Sequence, residues 1–232
     1  MMESGKISTA RIAPEIIRLS FGIEQANTYF LVSDGHALVI DVCSKSIGNE
    51  LFRRELVPDY VILTHEHVDH LWGLNTFREQ YPEVKVIAQK KCSRAIINPK
   101  TNKAAQYRIY AVLRFGETYK NVETENRKYH CEPADIVFEK AYELTWAGCA
   151  IKLIHAPGHS PGSSMVLVND EVVFSGDTML NEDTFLKFDD GDTKMFYTIT
   201  ASLINAMNPD VKIFPGHGAA FTKKDWKRKQ NG

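Results

Sequence analysis

The sequence of 232 residues predicts an α+β fold, in which two mixed β-sheets are flanked by helices. Strand patterns follow one another as a meander in the first forty residues, helices and strands then alternate, and two further hairpins occur in the second half. The longest apolar runs have the length of strands, so no membrane span is predicted. At this length we expect a single domain over residues 1–232, with a basic, tyrosine-containing insertion at about 90–132.

In the first half, runs rich in apolar and β-branched residues predict strands, at residues 16–21, 28–32, 37–41, 60–63 and 84–87. The Asp34-Gly35 pair supplies the turn chemistry of a hairpin between the second and third strands. Helices are predicted on either side of the fourth strand, over about 45–56 and over 71–81. Pro82 ends the second helix.

In the second half, the same criteria predict strands at residues 142–146, 150–155, 165–168, 172–174 and 211–214. Two dipeptides between them, Ala147-Gly148 and Asn169-Asp170, are typical of tight hairpin turns. A helix is predicted over about 194–207, and a short basic helix closes the chain. Together with the first half, this order of elements is what predicts two separate sheets.

Charge and cysteine content exclude several classes of function. The formal net charge of -1 offers no overall attraction to nucleic acid or to an anionic membrane. The N-terminal residues lack the basic and apolar regions of a secretory signal, and the four cysteines are widely spaced without a CxxC pair. We therefore expect a cytoplasmic protein with reduced thiols, a small-molecule substrate, and no nucleic-acid or membrane partner. The sequence carries no signal of oligomeric state.

An HxHxDH motif follows directly after the apolar stretch 60–64. It places three imidazoles and a carboxylate, His65, His67, Asp69 and His70, within six positions. Neutral imidazole and carboxylate are ligands that zinc and iron accept. In an extended loop His65 and His67 point the same way, whereas Asp69 and His70 turn towards a second position. The motif therefore predicts a metal site.

Three more candidate ligands, His159, Asp177 and His217, occur at long intervals. Each has a glycine beside it, and each follows the end of a predicted strand. Strand ends hold side chains rigidly while the adjoining loops leave an open cleft. The seven candidates are enough for two metal ions.

The ordered combination of HxHxDH, a glycine-flanked His159, Gly-Asp177-Thr and Pro-Gly-His217-Gly resembles the signature of the metallo-β-lactamase superfamily. The branch that it most resembles is the glyoxalase II-like hydrolases, and the motifs run from Asp41 to His217. This resemblance implies an αββα sandwich with the metal ions in a cleft at one edge of the sheets.

By the same resemblance, each motif residue takes a role in a centre of two metal ions. The first ion would be bound by His65, His67, His159 and Asp177. The second would be bound by Asp69, His70, His217 and the same Asp177. Asp41 would orient a ligand histidine. Two zinc ions per chain are expected, with iron or manganese as alternatives because the same ligands accept them.

The implied reaction is hydrolysis of a small thioester, ester or lactone by a hydroxide shared between the two ions. Asp69 would orient the metal-bound water or accept a proton from it. Lys187 lies near the position where relatives place a substrate-facing cation. Only 15 residues follow His217, so the helical domain with which glyoxalase II grips glutathione is not expected.

The basic segment between Lys90 and Lys128 contains ten Lys or Arg and three Glu, with tyrosines interleaved. It would attract an anionic substrate, or it forms a solvated helical cap or an oligomer contact. Two other functions remain open: a mononuclear iron persulfide dioxygenase, using His65 or His67 with His159 and Asp177, and a metal-bearing binding module without catalysis. Metal identity and sulfite production separate the first of these from the hydrolase.

Overall fold

The computed structural model describes residues 14–22, 25–107, 109, 112, 127–181 and 190–226. Within them two six-stranded mixed sheets lie face to face, with helices on both outer sides. This arrangement confirms the predicted αββα sandwich. None of the helices in these ranges has both the length and the apolar character that a membrane crossing requires.

The first sheet has the strand order β1-β2-β3-β4-β5-β6. Its strands are β1 Glu15–Phe21, β2 Ala26–Ser33, β3 His36–Ile40, β4 Val57–Ile62, β5 Lys85–Gln89 and β6 Ile136–Phe138. The pairs β1–β2 and β2–β3 are antiparallel, and the pairs from β3 to β6 are parallel. Three helices cover its outer face, α1 Ile47–Arg53, α2 Leu74–Gln80 and α3 Lys90–Ala95.

The second sheet has the order β12-β11-β10-β9-β8-β7. Its strands are β7 Ala141–Trp146, β8 Cys149–His155, β9 Ser164–Val168, β10 Val172–Gly176, β11 Lys212–Pro215 and β12 Phe221–Thr222. Only β10 and β11 pair in parallel. A final helix, α4, covers the outer face and consists of Thr193–Met195, a π-helical turn Phe196–Thr200 and Ala201–Ala206.

Alternation along the strands divides the apolar core into layers. In β2, Tyr29 and Leu31 face the second sheet, where they meet Phe174 of β10, while Phe30 between them faces the helices. Successive side chains of a strand point to opposite faces, so a strand covered on both sides is apolar throughout. The three side chains are at most 2% exposed, which anchors β2 in the middle of the sandwich.

The predicted hairpin turns are confirmed by the backbone. Asn169 and Asp170 both have positive φ, of 51° and 57°, as do Ala147 and Gly148 at 48° and 74°. Two successive residues with positive φ match the right-handed twist of the strands that they join. These turns fix the register of the antiparallel strands that lead to the loops described below.

Several boundaries differ from the prediction. The fourth strand begins at Val57 and includes Pro58, because a register shift against β3 accommodates the proline. The helix expected over 71–81 begins at Leu74, since residues 68–70 form a 3₁₀ turn and the next three continue it as turns. The short elements α3, β6 and β12 were not predicted. The closing basic helix is described only as a 3₁₀ turn, Lys223–Asp225.

Candidate metal centre

The seven candidate ligands meet at one end of the sandwich. The loop after β4 carries His65, His67, Asp69 and His70, the loop after β8 carries His159, and Asp177 and His217 follow β10 and β11. Sequence positions as far apart as His70 and His217 come into contact here, with their Nε2 atoms 3.3 Å apart. The structure therefore brings together all seven residues that the motifs singled out.

The first cluster consists of three buried imidazoles, those of His65, His67 and His159. One ring nitrogen from each lies within 4.8 Å of the other two. His159 Nε2 is 3.0 Å from His67 Nδ1, and the ring centroids are 4.6 to 4.9 Å apart. Three nitrogens converging on one point from two loops are a donor set for a transition metal ion.

The second cluster consists of Asp69, His70 and His217, whose ligand atoms also lie within 4.8 Å of one another. Asp69 Oδ2 is 3.3 Å from His217 Nε2 and 3.5 Å from His70 Nε2. Its composition of two nitrogens and one carboxylate oxygen suits the same class of ion as the first cluster.

Asp177 lies between the two clusters. Its Oδ1 is 3.4 Å from His70 Nε2, and its Oδ2 is 3.3 Å from His217 Nε2 and 3.7 Å from His159 Nε2. The carboxylate thus approaches imidazoles of both groups. Gly216 makes room for it, because a Cβ at that position would stand 2.1 Å from Asp177 Oδ1.

Two buried atoms test whether the site suits a metal ion. Among the described residues of the site, His65 Nε2 has no hydrogen-bond partner, and Asp177 Oδ1 has none besides its ion pair with His70. A buried polar atom without a partner costs free energy, and a cation in the site would remove this cost. The orphaned atoms and the converging nitrogens therefore fit a divalent metal ion.

The charges at the site support the same conclusion. Burial and the neighbouring His70 and His67 lower the pKa of His65 well below its usual value, so its ring is neutral and can offer a lone pair. Burial alone would lower the pKa of His70 and of His217, but Asp69 and Asp177 raise both well above the usual range. A cation that binds there displaces these protons.

Asp41 contacts the ring nitrogen of His70 that points away from the second cluster. Its Oδ2 accepts hydrogen bonds from His70 Nδ1, at 2.9 Å, and from Thr64 Oγ1, at 2.7 Å, while its Oδ1 accepts one from the Thr64 backbone N–H. Because Nδ1 of His70 donates to Asp41, the lone pair of this ring is left on Nε2, which faces the cluster. The family resemblance implied that Asp41 would orient a ligand histidine, and His70 is a histidine that it contacts.

Glu66, which occupies the first x position of the HxHxDH motif, connects two of the loops. Its carboxylate is 1% exposed. It accepts hydrogen bonds from Ser160 Oγ, at 2.9 Å, and from the Gly162 N–H, at 3.0 Å. The loop that carries His65 and His67 is thereby fastened to the loop that carries His159. A polar residue inside a motif, flanked by ligands, was the only signal available.

The loop that carries His217 is fastened to the first sheet. Asn27 Nδ2 contacts the carbonyl oxygens of Pro215 and Gly218, at 3.0 and 2.9 Å, and Tyr29 Oη donates to the Pro215 carbonyl at 2.7 Å. The backbone N–H of Asn27 also donates a hydrogen bond to the Gly216 carbonyl of this loop. This role was not predicted, because Tyr29 lies inside a predicted strand and Asn27 directly before it.

Asp190 was also missed. Its Oδ2 accepts a hydrogen bond from His67 Nε2 at 3.1 Å and lies 3.3 Å from Lys103 Nζ. Lys187, the predicted substrate-binding residue, lies outside the described residues. So does much of the predicted insertion, of which residues 90–107, 109, 112 and 127–132 are described, beginning with helix α3.

The family model of the metallo-beta-lactamase superfamily matches residues 21–217 of this chain. Among sequence relatives, the chain is 28% identical over 165 residues to the probable metallo-hydrolase YqgX of Bacillus subtilis, a match that covers 70% of each protein. It is 24% identical over 151 residues to a hydroxyacylglutathione hydrolase of Xylella fastidiosa, covering 65% of this chain and 44% of that enzyme.

Solved structures show the same fold at lower identity. The BLEG-1 B3 metallo-beta-lactamase superposes with a TM-score of 0.77 at 23% identity, covering 91% of this chain and 95% of that one. TTHA1623 in a di-iron-bound form gives 0.68 at 21% identity, covering 90% and 95%. ETHE1 from Myxococcus xanthus gives 0.64 at 17% identity, covering 91% and 80%. At these identities the likeness concerns the fold alone.

Proposed function

Because the chain belongs to the metallo-beta-lactamase superfamily, we propose that it is a hydrolase that uses two divalent metal ions to cleave a small thioester, ester or lactone. The position of Asp177 carries this proposal. Its carboxylate oxygens lie within 3.7 Å of imidazole nitrogens from both clusters, His159 in the first and His70 and His217 in the second. A shared carboxylate in this position supports a pair of ions rather than one.

The proposed ligands follow the two clusters. The first ion takes His65, His67, His159 and Asp177. The second takes Asp69, His70, His217 and Asp177. Zinc is the metal that we propose for both, since imidazole and carboxylate are among its usual ligands. Iron and manganese accept the same donors.

Two bound cations would supply a water of lowered pKa and a Lewis acid for the carbonyl oxygen of the substrate. The chain itself supplies orientation and proton transfer. Asp69, whose Oδ2 lies 3.3 Å from His217 Nε2 and 3.5 Å from His70 Nε2 in the second cluster, would orient the attacking water or take its proton. Asp41 keeps the His70 ring in one tautomer, and Glu66 keeps the two ligand loops together.

The substrate class is supported by the relatives. The Bacillus subtilis relative is named as a probable metallo-hydrolase. The Xylella fastidiosa relative is named as a hydrolase of hydroxyacylglutathione, which is a thioester. We propose that the chain is a glyoxalase II-like hydrolase. Since it spans only 44% of the second relative's length, the proposal is for thioester, ester or lactone hydrolysis in general and not for a glutathione substrate.

A second candidate is a mononuclear iron dioxygenase acting on persulfides. It is favoured by the first cluster, because three imidazoles beside the Asp177 carboxylate already offer a complete ligand set for one iron ion. In that case the second cluster would stay free of metal.

Metal content separates the candidates. The full chain, purified with zinc and iron both supplied, is expected to hold about two zinc ions by elemental analysis and to hydrolyse at least one member of a panel of thioesters, esters and lactones. One iron per chain, with oxygen uptake on a persulfide, would favour the dioxygenase. Metal without any turnover would favour a binding module, and absence of metal would overturn the proposal.

Asp177→Ala provides the matched test at the level of one residue. It should abolish turnover and reduce the metal content, because both clusters lose their shared carboxylate. Glu171→Ala is the control, since Glu171 is an exposed carboxylate just before β10 on the same segment. Full activity of metal-free Asp177→Ala protein would refute the mechanism.

A further inference from the structure

The two ring nitrogens of His67 have different neighbours. Nδ1 lies 3.0 Å from His159 Nε2, inside the first cluster, whereas Nε2 points away from it and lies 3.1 Å from Asp190 Oδ2. A neutral imidazole carries a proton on only one nitrogen. With the Asp190 carboxylate as acceptor, that proton belongs on Nε2, and the lone pair is then on Nδ1, where the ligand atoms converge.

The same oxygen of Asp190 meets a cation from another part of the chain. Lys103 Nζ lies 3.3 Å from Asp190 Oδ2, and the two side chains are only 17% and 16% exposed. An ion pair that is largely shielded from water holds its partners more firmly than a surface pair does, and losing one partner leaves a charge in a poorly solvated place. Lys103 therefore restrains the carboxylate that faces His67.

The backbone at Lys103 is itself fixed. Its neighbour Asn102 is fully buried, and Asn102 Nδ2 contacts the carbonyl oxygens of Ile96 and Tyr129 at 3.3 and 2.9 Å. Asn102 Oδ1 accepts a hydrogen bond from the Ala104 N–H at 3.0 Å. Lys103 has a φ of 67°, so this turn holds a non-glycine residue in the left-handed region. The basic segment is thus tied to the core just where its lysine reaches the site.

We propose that Asp190 is a positioning residue that selects the Nδ1-binding tautomer of His67, and that Lys103 holds Asp190 in place. This inference rests on the proposed metal-dependent function. It gives the basic segment a role that its charge alone did not predict: one of its lysines supports a metal ligand through an intervening carboxylate. Because Lys103 is already paired, it contributes to metal retention rather than to attraction of an anionic substrate.

The test is the metal affinity of the full chain, measured by competition for zinc with a chromophoric chelator, without reference to activity. Asp190→Ala should weaken zinc binding by about 10- to 100-fold, the usual effect of removing a carboxylate behind a ligand histidine. Asp190→Asn, which keeps an oxygen acceptor, should recover part of this loss. Lys103→Met should weaken binding by less than Asp190→Ala. Lys100→Met, at an exposed lysine of the same segment, is the control.

The tautomer gives a second readout that a merely structural role would not move. In ¹⁵N spectra of the chelator-treated chain, neutral His67 should be protonated on Nε2 in the wild type and should lose this preference in Asp190→Ala. Protonation on Nδ1, or a zinc dissociation constant of Asp190→Ala within twofold of the wild type, would overturn the inference. If Asp190→Ala fails to fold in the presence of chelator, Asp190→Asn and Lys103→Met decide: affinities of both within twofold of the wild type overturn it. A wild type that binds no zinc would instead refute the proposed function.

Discussion

Replacing Glu66 by alanine should lower the free energy of unfolding by about 3 kcal/mol. The carboxylate accepts two buried hydrogen bonds, from Ser160 Oγ and the Gly162 N–H, and a hydrogen bond to a charged group contributes about 1.5–3 kcal/mol. Two such hydrogen bonds together contribute about 3–6 kcal/mol, and the expected loss lies at the low end of this range for two reasons. Removing the buried charge also removes its desolvation cost, and the Ser160 hydroxyl keeps Ser163 Oγ as a partner at 2.8 Å. The Gly162 N–H is left without its acceptor.

Urea unfolding of chelator-treated protein, followed by tryptophan fluorescence, measures this loss without a contribution from bound metal. Glu66→Gln keeps an oxygen for the Gly162 N–H and should cost only about 1 kcal/mol. Glu83→Ala removes an exposed carboxylate and should stay within about 0.5 kcal/mol of the wild type. A loss below about 1 kcal/mol for Glu66→Ala, or equal losses for alanine and glutamine, would refute the idea that Glu66 fastens the two ligand loops.

Three further predictions concern parts of the molecule around the site. Gly162→Ala should prevent stable folding, because its Cβ would stand 2.4 Å from the backbone nitrogen of Cys92. Expression of the variant and a thermal melt test this. A melting temperature like that of the wild type would show that the chain has room for a Cβ at this position. Burial lowers the pKa of His155 below 6.5, so the unfolded chain takes up a proton more readily than the folded chain and the free energy of unfolding falls as the pH drops below 6.5. His155→Gln should make this fall smaller. An unchanged pH profile of the unfolding free energy would contradict the prediction. Burial raises the pKa of the Cys131 thiol to about 11, and all four cysteines are buried and unpaired. A thiol reagent at about pH 8 should therefore titrate less than one thiol in the native chain and all of them after denaturation.

The candidate ligands could be found in the sequence because the residues next to each of them form a recognisable pattern. Asp177 and His217 stand directly beyond strands whose apolar residues are visible in the sequence, and glycines mark the turns that follow. The supporting contacts had no such local signal. Glu66 and Ser160 are 94 positions apart, and His67 and Asp190 are 123 apart, so only the packing of the two sheets brings them together.

The same distinction holds for the elements of the fold. The hairpin at Asn169-Asp170 was predicted since its turn chemistry lies within four residues. Strand β6, Ile136–Phe138, was missed because it is three residues long and exists through its parallel pairing with β5, nearly fifty positions earlier. The true start of β4 was missed because Pro58 argues against a central strand, and only the register shift opposite β3 reconciles it with the sheet.

The contact between His70 and His217 spans 147 positions of the chain. A ribosome adds about 5–20 residues per second, so roughly 7–30 seconds separate the synthesis of the two histidines. Throughout that interval the HxHxDH loop on the first sheet lacks His217, because β11 of the second sheet has not yet joined β10. We therefore expect the composition of the metal centre to be decided after translation, by the ions that the completed chain meets. Expression hosts with different zinc and iron pools should then yield different metal contents from identical polypeptides.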